Sequence, residues 1–155
     1  MKQLQEYRSK LIDRLEAITG EFCNACLAVS DPFKALEEGG WNTHQLAVHT
    51  RDVDKLAYGY RARRIAVEEN PEFQDFDGEV WMAEHYDPDE PLASILDELA
   101  VSVTETASML RTLPPEAWSR ESSHEVYGGG FTLQTWVERG LAHINEHLET
   151  VQKIG

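Results

Sequence analysis

The stretch "FTLQTWVERGLAHINEHLETV", residues 131–151, decides how this chain folds. Leu133, Val137, Ile144, Leu148 and Val151 recur at helical spacing and form one apolar stripe, with Leu141 beside it. Thr132 can cap the helix, and Phe131 and Trp136 stand where a hydrophobic staple would. Trp136, Gly140, His143 and His147 make a second row next to the stripe. A helix that must bury an apolar face has little use for two titratable rings one turn apart. Side chains at i and i+4 lie ~5–6 Å apart at Cβ, so two imidazoles there can converge on one ion. Gly140 costs its helix ~1 kcal/mol against alanine. Its presence predicts a close-packed neighbour, or room kept beside the histidines.

Outward from that helix, three more segments keep a helical period. The first spans residues 2–27, with Leu11, Leu15, Ile18, Phe22 and Cys26 on one stripe, and "SDPFKALEEGG" breaks it. The second opens at "WNTHQL", where Asn42 and Gln45 suit a capping box and Trp41 and Leu46 a staple. Its stripe is Leu46, His49, Val53, Leu56 and Tyr60, which puts His49 among residues expected to face the core. The third begins at "EPLASIL", runs through Leu92, Ile95, Leu99, Val103, Thr106, Leu110 and Leu113, and stops at Pro114 and Pro115. Residues 67–90 read as a long acidic and aromatic connection, with one short helix around Gly78–His85 and a place as lid or rim. "EAWSRESSHEVYGGG" reads as a loop. With no strand signal, the pattern predicts an all-α four-helix bundle. The long connections suit up-down-down-up as well as up-down-up-down.

The 155 residues suit one domain, residues 1–155, and 41% hydrophobic content suits a folded core. Twenty-eight acidic against 14 basic side chains give a net charge of −14, which repels nucleic acid and anionic membrane. No apolar run is long enough to span a membrane, and the N-terminal stretch lacks the apolar region of a signal peptide, so a cytoplasmic location is expected. Cys23 and Cys26 form a C-x-x-C late in a periodic helix, away from the helix N-terminus that would activate a thiol, and read as packed thiols.

If the second and last helices are neighbours, His49 joins His143 and His147 in a three-histidine site. Such a site leaves one of four positions open and does not by itself select the metal. The competing reading is a pair of solvated or hydrogen-bonded histidines, but three unpaired buried imidazoles would cost free energy that a metal offsets. "HINEH" also fits the inverted zinc-protease pattern H-x-x-E-H, which needs a further acidic ligand well downstream of His147, and few residues follow. His44, His85 and His124 read as solvated or capping residues, with His85 placed to overhang the site. Asp52 and Glu146 are the carboxylates nearest in sequence to the three histidines, and so the candidates to orient them.

"WNTHQLAVHTRDVD" and "GGFTLQTWVERGLAHINEHLETV" resemble the second and last helices of the DinB/YfiT-like bundles, and helix order and loop placement agree over nearly the whole chain. The resemblance implies an up-down-down-up bundle, frequent homodimers, and a divalent metal held by three histidines that map to His49, His143 and His147. Zinc or nickel is the first expectation, with iron, copper or manganese also compatible. It further implies a small-molecule substrate and metal-dependent transfer involving a low-molecular-weight thiol. A metal-dependent hydrolase and a non-enzymatic, metal-loaded binding module are the alternatives. The pocket is expected near the ends of the second and last helices, rimmed by residues 70–90 and Gly128–Gly130, in acidic surroundings that disfavour a strongly anionic substrate.

Overall fold

The structure, a computed structural model, describes residues 2–153. Helix α1 (Lys2–Ala28) buries the expected stripe of Leu11, Leu15, Ile18, Phe22 and Cys26. Helix α2 (Thr43–Val53) starts on the expected capping box. The Asn42 side chain accepts the Gln45 amide at 2.7 Å, and the Gln45 side chain accepts the Asn42 amide at 2.9 Å. Two donors orphaned at the helix start are thereby satisfied, which anchors the helix that carries His49.

The second helix does not keep its period. After Val53 it passes through a π turn, Asp54–Tyr58, into α3 (Gly59–Val67). One extra residue in a turn rotates everything beyond it by about 100°. Leu56 and Tyr60, expected on the buried stripe, are therefore 39% and 42% exposed, while Ala57, Arg61, Ala62 and Ile65 turn inward. Gly59 permits the wide turn. Its amide donates to the Asp54 carbonyl, and a Cβ there would sit 2.9 Å from that oxygen.

Helix α4 (Gly78–His85) lies in the long connection where a short helix was expected, and α5 (Leu92–Thr112) follows Pro91 and ends before Pro114. The segment expected to be a loop is more ordered. It holds a 3₁₀ turn, Pro115–Ser119, and the strands β2 (Glu121–His124) and β3 (Gly128–Thr132), which join β1 (Glu72–Phe73) in a small sheet of order β1-β2-β3. β1 runs parallel to β2, with Glu72 opposite Ser123; β2 and β3 are antiparallel, with Glu121 opposite Thr132. Serine and glycine give these strands no alternating pattern, so pairing partners rather than side chains define them. Ser122 ties the sheet to the bundle: its hydroxyl donates to the Phe131 carbonyl and accepts the Trp136 indole N–H, both at 2.8 Å.

The last helix, α6 (Leu133–Gln152), buries Leu133, Val137, Ile144, Leu148 and Val151, and its staple is the stack of Phe131 on Trp136, 5.0 Å between ring centroids. α1 packs against α5 and α6, as does the α2–α3 helix. The result is an up-down-down-up four-helix bundle with a small sheet at one side. Two successive long helices that run parallel need a crossover, and the connection holding β1 and α4 supplies it. One core cluster joins Phe22, Leu46, Leu99, Ile144 and Leu148; the other joins Leu11, Ile65, Leu110, Leu133 and Trp136. Cys23 and Cys26 are free thiols packed at the first cluster, as expected; burial pushes them up to about 11 and about 12. Among the described residues, no helix is long and apolar enough to cross a membrane.

Candidate metal centre

α2 and α6 bring His49, His143 and His147 together. The Nε2 of His143 lies 3.2 Å from that of His49 and 2.9 Å from that of His147, and one ring nitrogen from each lies within 4.8 Å of the others. The three rings meet edge to face, with centroids 4.3 to 5.1 Å apart. A neutral imidazole has one N–H, so His143 cannot donate to both neighbours at once. Ligands at ~2.0–2.1 Å from a tetrahedral ion stand about 3.3 Å apart. The donor set and its spacing thus fit a divalent ion.

Burial keeps the imidazoles neutral, as metal ligands must be. Desolvation, reinforced by the His147 charge, lowers His49 to about 4. Desolvation, then His147 and His49, lowers His143 to about 2. Desolvation also lowers His147, against a small opposing pull from Glu146.

Neither carboxylate expected to orient the rings does so through a hydrogen bond. Asp52 accepts from Arg51 at 2.9 Å and from the Trp81 indole at 3.1 Å, and Glu146 makes no hydrogen bond to an imidazole among the described residues. Among the described residues, His49 Nδ1 is buried without a partner. Its ring is instead held by contact. Trp41 lies 4.8 Å away between centroids, and the Gly78 backbone presses so close that a Cβ there would fall 2.7 Å from His49 Cε1. Asp77 caps α4 through the Glu79 and Val80 amides and so holds Gly78 at that spot. Gly140 admits a neighbour too: Tyr58 Cβ would stand 3.1 Å from its Cβ, and the Tyr58 ring lies 5.5 Å from that of His143.

Of the other histidines, expected to be solvated or capping, His44 departs from that expectation. His44 is 1% exposed rather than solvated, with Nδ1 at 2.7 Å from the Tyr86 hydroxyl and Nε2 at 2.6 Å from the Glu90 carbonyl. His124 does cap a turn, accepting the Val126 and Tyr127 amides, but it is buried at 3% exposed. His85 is exposed and stacks on Trp81, and it is not among the clustered histidines.

A pocket of about 220 Å³ opens beside His49 and His143, lined also by Tyr58, Arg61, Asp75, Phe76, Gly78, His124, Tyr127 and Arg139. Asp75, Phe76 and Gly78 of the 70–90 connection line it, as expected, whereas His124 and Tyr127 take the place expected for Gly128–Gly130. Its charge differs: two arginines face one aspartate, so the surroundings are locally basic within an acidic chain. Tyr58, Arg61 and Gly78 escaped the sequence reading because the π turn and the fold of α4 onto α2 place them. Arg139 carried one legible signal, its position one turn before His143 on the same helix.

No curated protein matches the chain. A solved structure does: YfiT from Bacillus subtilis, described as "a probable metal-dependent hydrolase with an unusual four-helix bundle topology". It superposes with a TM-score of 0.87 at 22% identity, over 96% of this chain and 86% of that one, and so shares the fold. The DinB superfamily model matches residues 3–151. That span takes in all three histidines, both helices that carry them and the small sheet, and the chain therefore belongs to the DinB superfamily.

Proposed function

We propose that His49, His143 and His147 hold one divalent metal ion and that the protein is a metal-dependent enzyme transferring a low-molecular-weight thiol to a small electrophile. The observation that carries this reading is the convergence of three neutral Nε2 atoms beside a polar pocket, with no fourth histidine, cysteine or carboxylate in the cluster among the described residues. A divalent ion lowers the pKa of water to ~7 and deprotonates a coordinating thiol outright. The three imidazoles carry no charge, so they leave the ion's charge available to an anionic nucleophile. Gly78 and Trp41 keep the His49 ring in place. Tyr58 stays protonated, because burial raises its phenol, and can donate a hydrogen bond into the pocket. The chain's own thiols are not in this pocket, so the nucleophilic thiol comes from solution. Zinc or nickel suits three imidazoles, and the family resemblance favours a homodimer.

Hydrolysis is the second reading. It is favoured by the description of YfiT as a probable metal-dependent hydrolase. Cobalt-substituted protein separates the two. Titration with cysteine should raise a sulfur-to-cobalt charge-transfer band in the near ultraviolet, absent in His147→Ala. A cobalt spectrum indifferent to cysteine and other small thiols, together with thiol-independent ester cleavage, would replace transfer with hydrolysis.

A further inference from the structure

Arg61 is an uncommon buried cation. It is 6% exposed, yet no carboxylate lies within ion-pairing distance among the described residues. Of its five N–H donors, one is accounted for, by the Gln74 carbonyl at 3.1 Å. Buried Arg51, in contrast, is surrounded by Asp52, Glu90 and Glu98. A buried charge without a partner is costly, and burial does lower the Arg61 pKa. Arg139 joins it on the same pocket wall, likewise without an ion pair among the described residues. Both guanidinium groups lie against the Trp136 ring, at 4.6 and 5.8 Å from its centroid. Trp136 thus holds two like charges near one another in a chain of net charge −14. The histidine cluster opens on the same pocket.

We propose that Arg61 and Arg139 form an anion subsite beside the histidine cluster, which takes the carboxylate of a small substrate and points the rest of that substrate at His49 and His143. Two arginines line the pocket against Asp75, and the carboxylates of Glu125 and Glu146 act on His124 and Tyr58 in the same wall, a balance that suits a monoanionic carboxylate better than a phosphate dianion. The guanidinium fork matches a carboxylate in a bidentate pair. A cavity of about 220 Å³ admits a molecule of a few carbon atoms. The subsite extends the reading of this pocket as a substrate site, but it does not depend on metal for its own affinity.

The test uses butyrate as probe, with neutral butyramide as control, on the chelated full-length chain at low ionic strength. Binding is read by saturation-transfer NMR. Butyrate should bind saturably and butyramide should not. Arg139→Gln, at an exposed position, should weaken butyrate about tenfold or more, as expected when a charged hydrogen bond is lost. Arg61→Gln should do the same, and Asp75→Asn should strengthen binding. If Arg61→Gln fails to fold, Arg61→Lys and Arg139→Gln decide. Butyrate that does not bind, or binds Arg139→Gln as well as wild type, overturns the subsite. Phosphate binding in place of butyrate overturns the carboxylate assignment. Metal content of the same variants, expected to be unchanged, reports separately on the histidine centre.

Discussion

At the scale of single residues, the centre depends on how rigidly each imidazole is held. Among the described residues His49 has no hydrogen-bond partner at Nδ1, and its ring is held by contact with Gly78 and Trp41. Gly78→Ala should push the ring aside and weaken metal binding by about 10–100-fold, the size of effect seen when support around a ligand is lost. The Asp77 cap survives, so the circular dichroism spectrum should not change; equal metal affinity in the variant would show that contact does not position His49. The same burial makes the metal-free protein acid-sensitive. His49 titrates near 4 and His143 near 2 when folded, against ~6.5 in the unfolded chain. As pH falls from about 6.5 to about 4, the unfolded chain binds protons that folded His49 refuses. Stability is therefore intact above that window and lost within it, by on the order of 1–3 kcal/mol. Carboxylates titrate there as well, so the measurement is the difference in urea stability between chelated wild type and chelated His49→Gln across the window. A pH-independent difference would mean that His49 is not buried as the neutral ring.

At the scale of elements, the π turn at Asp54–Tyr58 sets the register of everything after it. It turns Arg61 inward, leaves Leu56 exposed and sets Tyr58 against Gly140. A regular helix through the same residues would have kept Leu56 and Tyr60 on the buried stripe. Gly59→Ala should cost about 1–3 kcal/mol, because a methyl group has no room against the Asp54 carbonyl. Its effect on the pocket should be separable from its effect on the metal. His49 precedes the turn, so metal affinity should hold while the environment of Arg61 changes. A melting temperature equal to wild type would show that the turn does not need glycine.

At the scale of the whole molecule, the proposed metal would couple to folding, since His49, His143 and His147 come from α2 and α6 and meet only in the assembled bundle. A ligand that binds only the folded state stabilises it by RT ln(1 + [L]/Kd), ~2.7 kcal/mol at a hundredfold excess over Kd. Removing the metal should therefore lower Tm by about 5–10 °C for a chain of this size. His143→Ala, without a full ligand set, should melt at the same temperature with and without chelator. If metal removal, verified by elemental analysis, leaves wild-type Tm unchanged, the ion does not bridge the two helices.

The four long helices, both capping devices, the staple of Phe131 on Trp136 and the short helix Gly78–His85 were all legible in the chain, because each rests on local spacing or on chemistry within one turn. The three histidines were legible for the same reason: two share a row on one helix, and the third lies on the core-facing stripe of another. Four features had no local sign. The strand at Glu121–His124 pairs with β1, which arrives from a distant connection, and the strand at Gly128–Thr132 pairs back on it with glycines that give no strand pattern. The inward turn of Arg61 follows from one extra residue in a helical turn, which apolar spacing does not encode. The burial of His44 and His124 depends on acceptors and donors supplied by other segments. The pocket's basic character reverses the sign of the chain's net charge, because net charge sums over the whole surface while a pocket holds only the few residues that packing brings to its wall.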